Sequence, residues 1–326
     1  QGSEFFLLDE SNGAVLAPGP QVIPKAPTRR VAPRFTEGEL TLEETRHGWF
    51  LLNAKDAGVD KTLLDLGEYA EAELAVLAAT IDPTHHVIEA GANIGALAIP
   101  LAKLLRDDAQ LFAVEPQIGV FTRLNAAIAL NAADNIVPIW AALGEAQGQL
   151  EVPFTDERRH YSSGGVRVDR DSKGQPVPLT TIDHLRVDFC RGKPIGLIKI
   201  DVEGAEAAVL EGAENTIQTD RPVIYVETRD RTAYRALRNL VDPLGYMVFW
   251  HAADLYQPDN HKGNPTDRYA GQGVNSNVLA LPIEKCDRLG GLNDPYLVPT
   301  GSQSEFWPPG SFPEKIRPRI EAWRRL

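Results

Sequence analysis

Val87-Ile88-Glu89-Ala90-Gly91-Ala92-Asn93-Ile94-Gly95 is the stretch on which the reading of this chain turns. A short apolar run stops at a glycine, which predicts a buried strand. Residues 94–105 follow with helical spacing, so the glycines sit where strand hands over to helix. Glycine at that point lets the backbone approach a ligand closely. The helix amino end offers unpaired N–H groups, and in an open α/β sheet ligands bind beyond the carboxyl ends of the strands. A dinucleotide-binding loop wants G-x-G-x-x-G. This one reads G-x-N-x-G, with Glu89 two positions ahead of the first glycine. An acid there repels a pyrophosphate and suits a ligand carrying an ammonium group and a cationic centre.

Outward from this loop the chain alternates strand and helix. Residues 110–114 predict a strand, 118–131 a helix and 136–140 a third strand, with 149–153 a short strand at an edge. Ile195-Gly196-Leu197-Ile198-Lys199-Ile200 is a strong buried-strand run, followed by a helix over 205–211, a strand over 222–226 and a helix over 232–241. Residues 245–250 and 277–281 predict a final antiparallel pair. Upstream, 49–52 predicts a short strand and 69–80 a helix. The pattern implies a mostly parallel sheet with helices on both faces.

Two more sites lie on the same edge. Glu115 closes the strand after the glycine loop, and an acid about 20 residues past such a loop is placed to accept hydrogen bonds from ribose hydroxyls. A nicotinamide-binding protein would share that feature. Asp201, within Lys199-Ile200-Asp201-Val202-Glu203-Gly204-Ala205-Glu206, falls at the end of the next central strand, facing Gly91. Glu206 opens the following helix, where helix-dipole electrostatics alone account for it. Glu227 ends the next strand in the same manner as Asp201. Two such acids could bind a divalent cation or line an acceptor pocket.

Composition bounds the function. The 326 residues include 43% hydrophobic and 24% charged, an ordinary globular balance, and the net charge is −12. An acidic surface argues against gripping nucleic acid through its phosphates. Two cysteines, Cys190 and Cys286, make neither a disulfide framework nor a cysteine-rich metal site, and no His/Asp/Glu cluster has zinc spacing, so no metal is assigned. No run suits a membrane span, and a cytoplasmic location is expected. Gln1-Gly2-Ser3-Glu4-Phe5 reads as a protease-site remnant followed by a cloning scar. The expected organisation is a scar and extended arm (1–38), lead-in elements (39–84), a ligand-binding α/β domain (85–283) and a tail (284–326). Two polar segments, 156–178 and 252–273, interrupt the pattern and are expected to be acceptor loops.

Several segments together resemble the FkbM family of S-adenosylmethionine-dependent methyltransferases. They are residues 87–103, 112–116 and 124–131, Ala141-Ala142-Leu143-Gly144, Leu179-Thr180-Thr181-Ile182-Asp183 and 198–212. Ile198-Lys199-Ile200-Asp201-Val202-Glu203-Gly204-Ala205-Glu206 is the most specific piece, and Gly67-Glu68-Tyr69-Ala70-Glu71-Ala72-Glu73 looks like the family's segment before the first strand. Glu89 stands where many members have Asp, which keeps the charge. The resemblance implies a class I, Rossmann-like fold with a mostly parallel seven-stranded sheet and an antiparallel last strand. It implies S-adenosylmethionine as cofactor, which has both the ammonium and the cationic centre. Gly91, Asn93 and Gly95 would surround its methionine part, Glu115 would hold its ribose, Ala142 and Leu143 would border its adenine, Asp201 would face the sulfonium, and Glu89, Ala92 and Pro116 would also touch the cofactor. Members usually methylate oxygen on sugars, polyketides or other secondary products, so the expected acceptor is a small molecule or glycan.

Transfer from a sulfonium needs positioning and a base. Asp201 is the first candidate. His160, in the glycine-containing polar insertion, is the second, and Glu227 the third. Glu203, Tyr161, Ser163 and His251 are expected to touch the acceptor. The rivals are an N-methyltransferase on a peptide or amino sugar, an NAD- or nucleotide-sugar-binding oxidoreductase, and a non-catalytic binding module. Oligomeric state does not follow from the sequence.

Overall fold

A computed structural model describes residues 35–37, 39–154, 162, 165, 173–228, 231–267, 274–290 and 297–300. The arm over 1–34, His160, Tyr161 and Ser163, and the tail tryptophans Trp307 and Trp323 lie outside the described residues.

The chain opens with an antiparallel sheet of β1 (Phe35–Glu37), β2 (Leu40–Thr45) and β3 (Gly48–Asn53). Helices α1 (Val59–Leu66) and α2 (Glu71–Thr80) follow. The alternating part then begins with β4 (His86–Ala90), α3 (Ala98–Ala102), β5 (Leu111–Val114), α4 (Ile118–Leu130) and β6 (Ile136–Ile139). A small second sheet comes next, from β7 (Ala142–Leu143), β8 (Gly148–Pro153) and β9 (Gly174–Thr180), and α5 (Ile182–Phe189) leads out of it. The series resumes with β10 (Ile195–Ile200), α6 (Glu206–Glu211), α7 (Glu214–Asp220), β11 (Val223–Glu227) and α8 (Arg231–Val241). It closes with β12 (Tyr246–Asp254), β13 (Val274–Pro282) and β14 (Leu297–Pro299).

The main sheet runs β14-β12-β13-β11-β10-β4-β5-β6. From β6 to β11 every pairing is parallel, and β13 then enters antiparallel to β11. This is the mostly parallel sheet with an antiparallel strand that was expected, with one addition. The seven expected strands gain an eighth, β14, which pairs antiparallel with β12 through Phe249, Trp250 and His251. Strand order reverses between β4 and β10, so the edge beyond Ala90 and Ile200 is the topological switch point where such sheets bind ligands.

Strand burial explains the central run. β4, β5, β10 and β11 are buried at every position, as parallel strands covered on both faces must be. One face packs Val87, Leu111, Leu197 and Val223 against Leu74 and Leu77 of α2, Ile99 and Leu101 of α3 and Leu124 of α4. The other packs Ile88, Phe112, Ile198 and Ile224 against Leu185, Leu210, Ile217 and Leu237. Trp250 belongs to this second core, fully buried and stacked on Tyr234 at 4.8 Å, which settles it as a packing residue.

Three sequence readings need correction. The helix expected over 94–105 is cut to Ala98–Ala102, because Asn93 and Gly95 both take left-handed φ and keep the chain turning. The polar segment 156–178 is partly sheet: from Gly174 onward it pairs antiparallel with β8. The segment 252–273 begins as sheet, since β12 runs on to Asp254, and residues 259–264 are fastened to the lead-in. Arg46 donates to the Asp259 carbonyl (3.0 Å), the His261 N–H to Glu68 (2.7 Å) and the Lys262 N–H to the Leu66 carbonyl (3.0 Å), while Lys262 pairs with Glu43. The lead-in is itself bonded to the α/β domain. Asp60 of α1 is fully buried, accepts from the Asn53 N–H (2.9 Å) and pairs with Arg123 of α4.

Candidate active site

The site is built where β4, β5, β10 and β11 end. Gly91 follows β4 with φ +79°, and a Cβ there would lie 1.8 Å from the Asp201 carbonyl oxygen. The two strand ends are joined directly, since the Asp201 N–H donates to the Ala90 carbonyl (3.0 Å). Glycine at 91 is therefore what lets the first loop lie against the end of β10. The next residues are held from the side of β5: the Gly91 and Ala92 N–H groups both donate to the Val114 carbonyl (3.0 Å each).

Glu115 is built into the same turn. Its Oε2 accepts from the Asn93 N–H (3.0 Å) and its Oε1 from the Gln117 N–H (2.9 Å). Each carboxylate oxygen has further acceptor capacity. Burial pushes its pKa up to about 7, and the two backbone donors pull against that rise. Glu89, 1% exposed, is also pushed up to about 7 by burial. Lys199 opposes that shift, and Asp201, Glu73 and Glu115 add to it. Glu89 Oε2 has no hydrogen-bond partner among the described residues.

Lys199 rises from β10 in register with Glu89 of β4. Its Nζ lies 3.2 Å from Asp201 Oδ2 and 3.9 Å from Glu89 Oε1. Burial alone would pull its pKa down, but Asp201, Glu89 and Glu73 outweigh burial and hold it above the ordinary lysine value. Carboxylate oxygens of Asp201, Glu203 and Glu227 lie within 4.8 Å of one another. Glu206 instead accepts from the Gly204 N–H (2.9 Å), the helix-start role its position predicts.

One cavity of about 240 Å³ joins these groups. Of the expected site residues, Glu89, Gly91, Ala92, Asn93, Glu115, Pro116, Ala142, Leu143, Asp201, Glu203 and Glu227 line it. Gly95 and His251 are not in its wall. Gly95 serves packing, because a Cβ there would meet Leu124 at 2.9 Å. His251 is 1% exposed inside β12, with Nδ1 2.7 Å from the Tyr225 hydroxyl, so the expected acceptor contact is corrected to a buried sheet contact. The wall also holds Ser162, from the polar segment expected to meet the acceptor, and residues not expected there: Lys199, Gln117, Val59 and Thr62 of α1, Tyr69 and Leu255. Lys199 was visible as a lone cation in an otherwise apolar strand. Helix α1 gave no comparable signal.

Residues 89–248 match the family profile described as the methyltransferase FkbM domain. This stretch is an FkbM methyltransferase domain. Membership of that family makes S-adenosylmethionine the cofactor. Among solved structures, a methyltransferase FkbM from Methylobacillus flagellatus KT is 17% identical, with a TM-score of 0.40 over 61% of this chain and 44% of its own. The chain thus spans less than half the length of that protein. TomG from Streptomyces achromogenes, an O-methyltransferase involved in tomaymycin synthesis and solved with SAM, is 14% identical, with a TM-score of 0.38 over 64% of this chain and 78% of its own. The M. jannaschii tRNA m1G37 methyltransferase is 11% identical, with a TM-score of 0.40 over 76% of this chain and 58% of its own. A search of curated proteins finds no significant match.

Proposed function

We propose that the FkbM domain transfers the methyl group of S-adenosylmethionine to a hydroxyl oxygen of a small-molecule or glycan acceptor: a sugar, polysaccharide or secondary metabolite. The observation that carries this reading is the shared cavity, whose wall holds Glu89 and Glu115 together with the converging carboxylates of Asp201, Glu203 and Glu227.

The residues present fit the cofactor. The orphaned Oε2 of Glu89 is an acceptor for an ammonium group. Glu115, fixed by two backbone donors, offers its remaining lone pairs to a ribose diol. Gly91, Ala92 and Asn93 border the methionine part, and Ala142 and Leu143 the adenine. The bound cofactor supplies an activated methyl electrophile. Asp201 takes the acceptor's hydroxyl proton as the new bond forms, and its half-buried carboxylate is reachable from the cavity. Glu203 and Glu227 orient the acceptor. Thr62, Tyr69 and Ser162 add polar groups to the wall, of the kind that recognises a polyhydroxylated molecule.

The convergence of three carboxylates favours one second reading, methyl transfer to nitrogen of an amino sugar or peptide. The same acids, with the net charge of −12, disfavour a phosphate-rich acceptor. No described helix is long and apolar enough to cross a membrane. Both cysteines are free, as suits the proposed cytoplasmic location.

Glu115→Ala is expected to weaken S-adenosylhomocysteine binding by tenfold or more, since hydrogen bonds to a charged group contribute about 1.5–3 kcal/mol. Calorimetry on the folded variant checks this, and unchanged affinity removes Glu115 from the ribose. Incubation with methyl-labelled cofactor and a panel of glycans, polyketides, amino sugars and unmodified tRNA tests the acceptor class. Label on a hydroxyl oxygen is the expected outcome, whereas label only on tRNA or on amine nitrogen sinks the reading.

A further inference from the structure

Lys199 has no part in the mechanism above, yet it sits between the groups that do. It is 4% exposed, its ammonium reaches both Glu89 and Asp201, and it lines the cavity. We propose that Lys199 is a positioning residue of the donor site: its ammonium, held between Glu89 and Asp201, keeps Glu89 presented as a carboxylate to the cofactor's ammonium and fixes Asp201 beside the acceptor. This rests on the reading of Glu89 as the partner of that ammonium.

Charge around Glu89 shows what Lys199 must do. The charged groups acting on it come from several elements: Lys199 from β10, Asp201 beyond that strand, Glu73 from α2 and Glu115 after β5. Three of the four are acids. Lys199 is the one cation among them, and it opposes both burial and the acids. A neutral Glu89 has lost the negative charge that attracts an ammonium group. Cofactor affinity therefore rises with pH as Glu89 ionises, and Lys199 sets where that rise occurs. Arginine would keep the charge, while methionine keeps the length of the stem without it.

Calorimetric titration with S-adenosylhomocysteine between about pH 5.5 and 8.5 tests this without an acceptor. The wild-type chain is expected to bind more tightly as pH rises, with a midpoint near 7. Lys199→Met should move the midpoint up by about one unit or more, and Lys199→Arg should restore it. In a Glu89→Gln background, Lys199→Met should produce no shift. Thermal melting confirms that each variant is folded, and Lys199→Gln replaces the Met variant if that one does not fold. A folded, uncharged variant with the wild-type midpoint overturns the proposal while leaving the reading of Glu89 intact. Glu89→Gln binding as tightly as wild type at every pH overturns that reading, and the proposal with it.

Discussion

Asp201→Asn is expected to lower turnover by about 100-fold or more, the range for loss of a general base. The substitution keeps the size of the side chain and removes its charge. Asp201 N–H to Ala90 carbonyl is a backbone bond and survives the change. The strand ends that shape the donor half therefore stay in place. Affinity for S-adenosylhomocysteine should change much less than turnover, and that split separates a chemical role from a binding role. Glu115→Ala should show the reverse pattern. Parallel assays of turnover and calorimetry read both effects on the same protein. Turnover at the wild-type rate would move the base to Glu227, whose carboxylate belongs to the same cluster, and a chelator control in the same assay tests whether that cluster works through a divalent cation.

Gly91→Ala should be severely damaging for so small a substitution. A Cβ at 91 would meet the Asp201 carbonyl oxygen, a backbone atom with no rotamer to change. The left-handed φ adds about 1–2 kcal/mol, and forcing extra volume into a packed site adds about 1–3 kcal/mol. The melting temperature should fall by about 6–12 °C if the total is about 3 kcal/mol. Binding of S-adenosylhomocysteine should be lost as the loop separates from β10. Gly245 is a built-in control, because it has φ +70° but nothing within 4 Å of an added Cβ. Gly245→Ala should show only the smaller φ penalty and unchanged binding. If Gly91→Ala melts and binds as the wild type does, the close approach of the two strand ends is not essential.

The central sheet was legible because its signals are local. Ile195–Ile200 is the strand expected from its apolar run. The switch-point acids Glu89, Glu115 and Asp201 were readable as strand-end residues and share the cavity. What was not legible depends on partners far away in the chain. Residues 259–264 read as a free polar loop, yet Arg46, Glu43, Glu68 and Leu66 hold them, about two hundred positions earlier. His251 was expected at the end of a strand near Trp250. The strand continues to Asp254, and the imidazole lies buried against the Tyr225 ring and hydroxyl. Helix α1 enters the cavity wall through the pairing of Asp60 with Arg123, which no local pattern announces. Lys199 is a different case. Its polarity within a buried strand was plain, but its meaning needs Glu89 and Asp201 on either side of it.

The loop at Gly91 and the acids at Glu89 and Glu115 are the proposed site for S-adenosylmethionine rather than for a dinucleotide. Calorimetric titration of the purified chain with S-adenosylhomocysteine, and separately with NAD, tests it most directly. Saturable one-to-one binding of S-adenosylhomocysteine, at least tenfold weaker in Glu115→Ala, with no heat from NAD, is the predicted result. Binding of NAD that Glu115→Ala abolishes, with no response to S-adenosylhomocysteine, would contradict it.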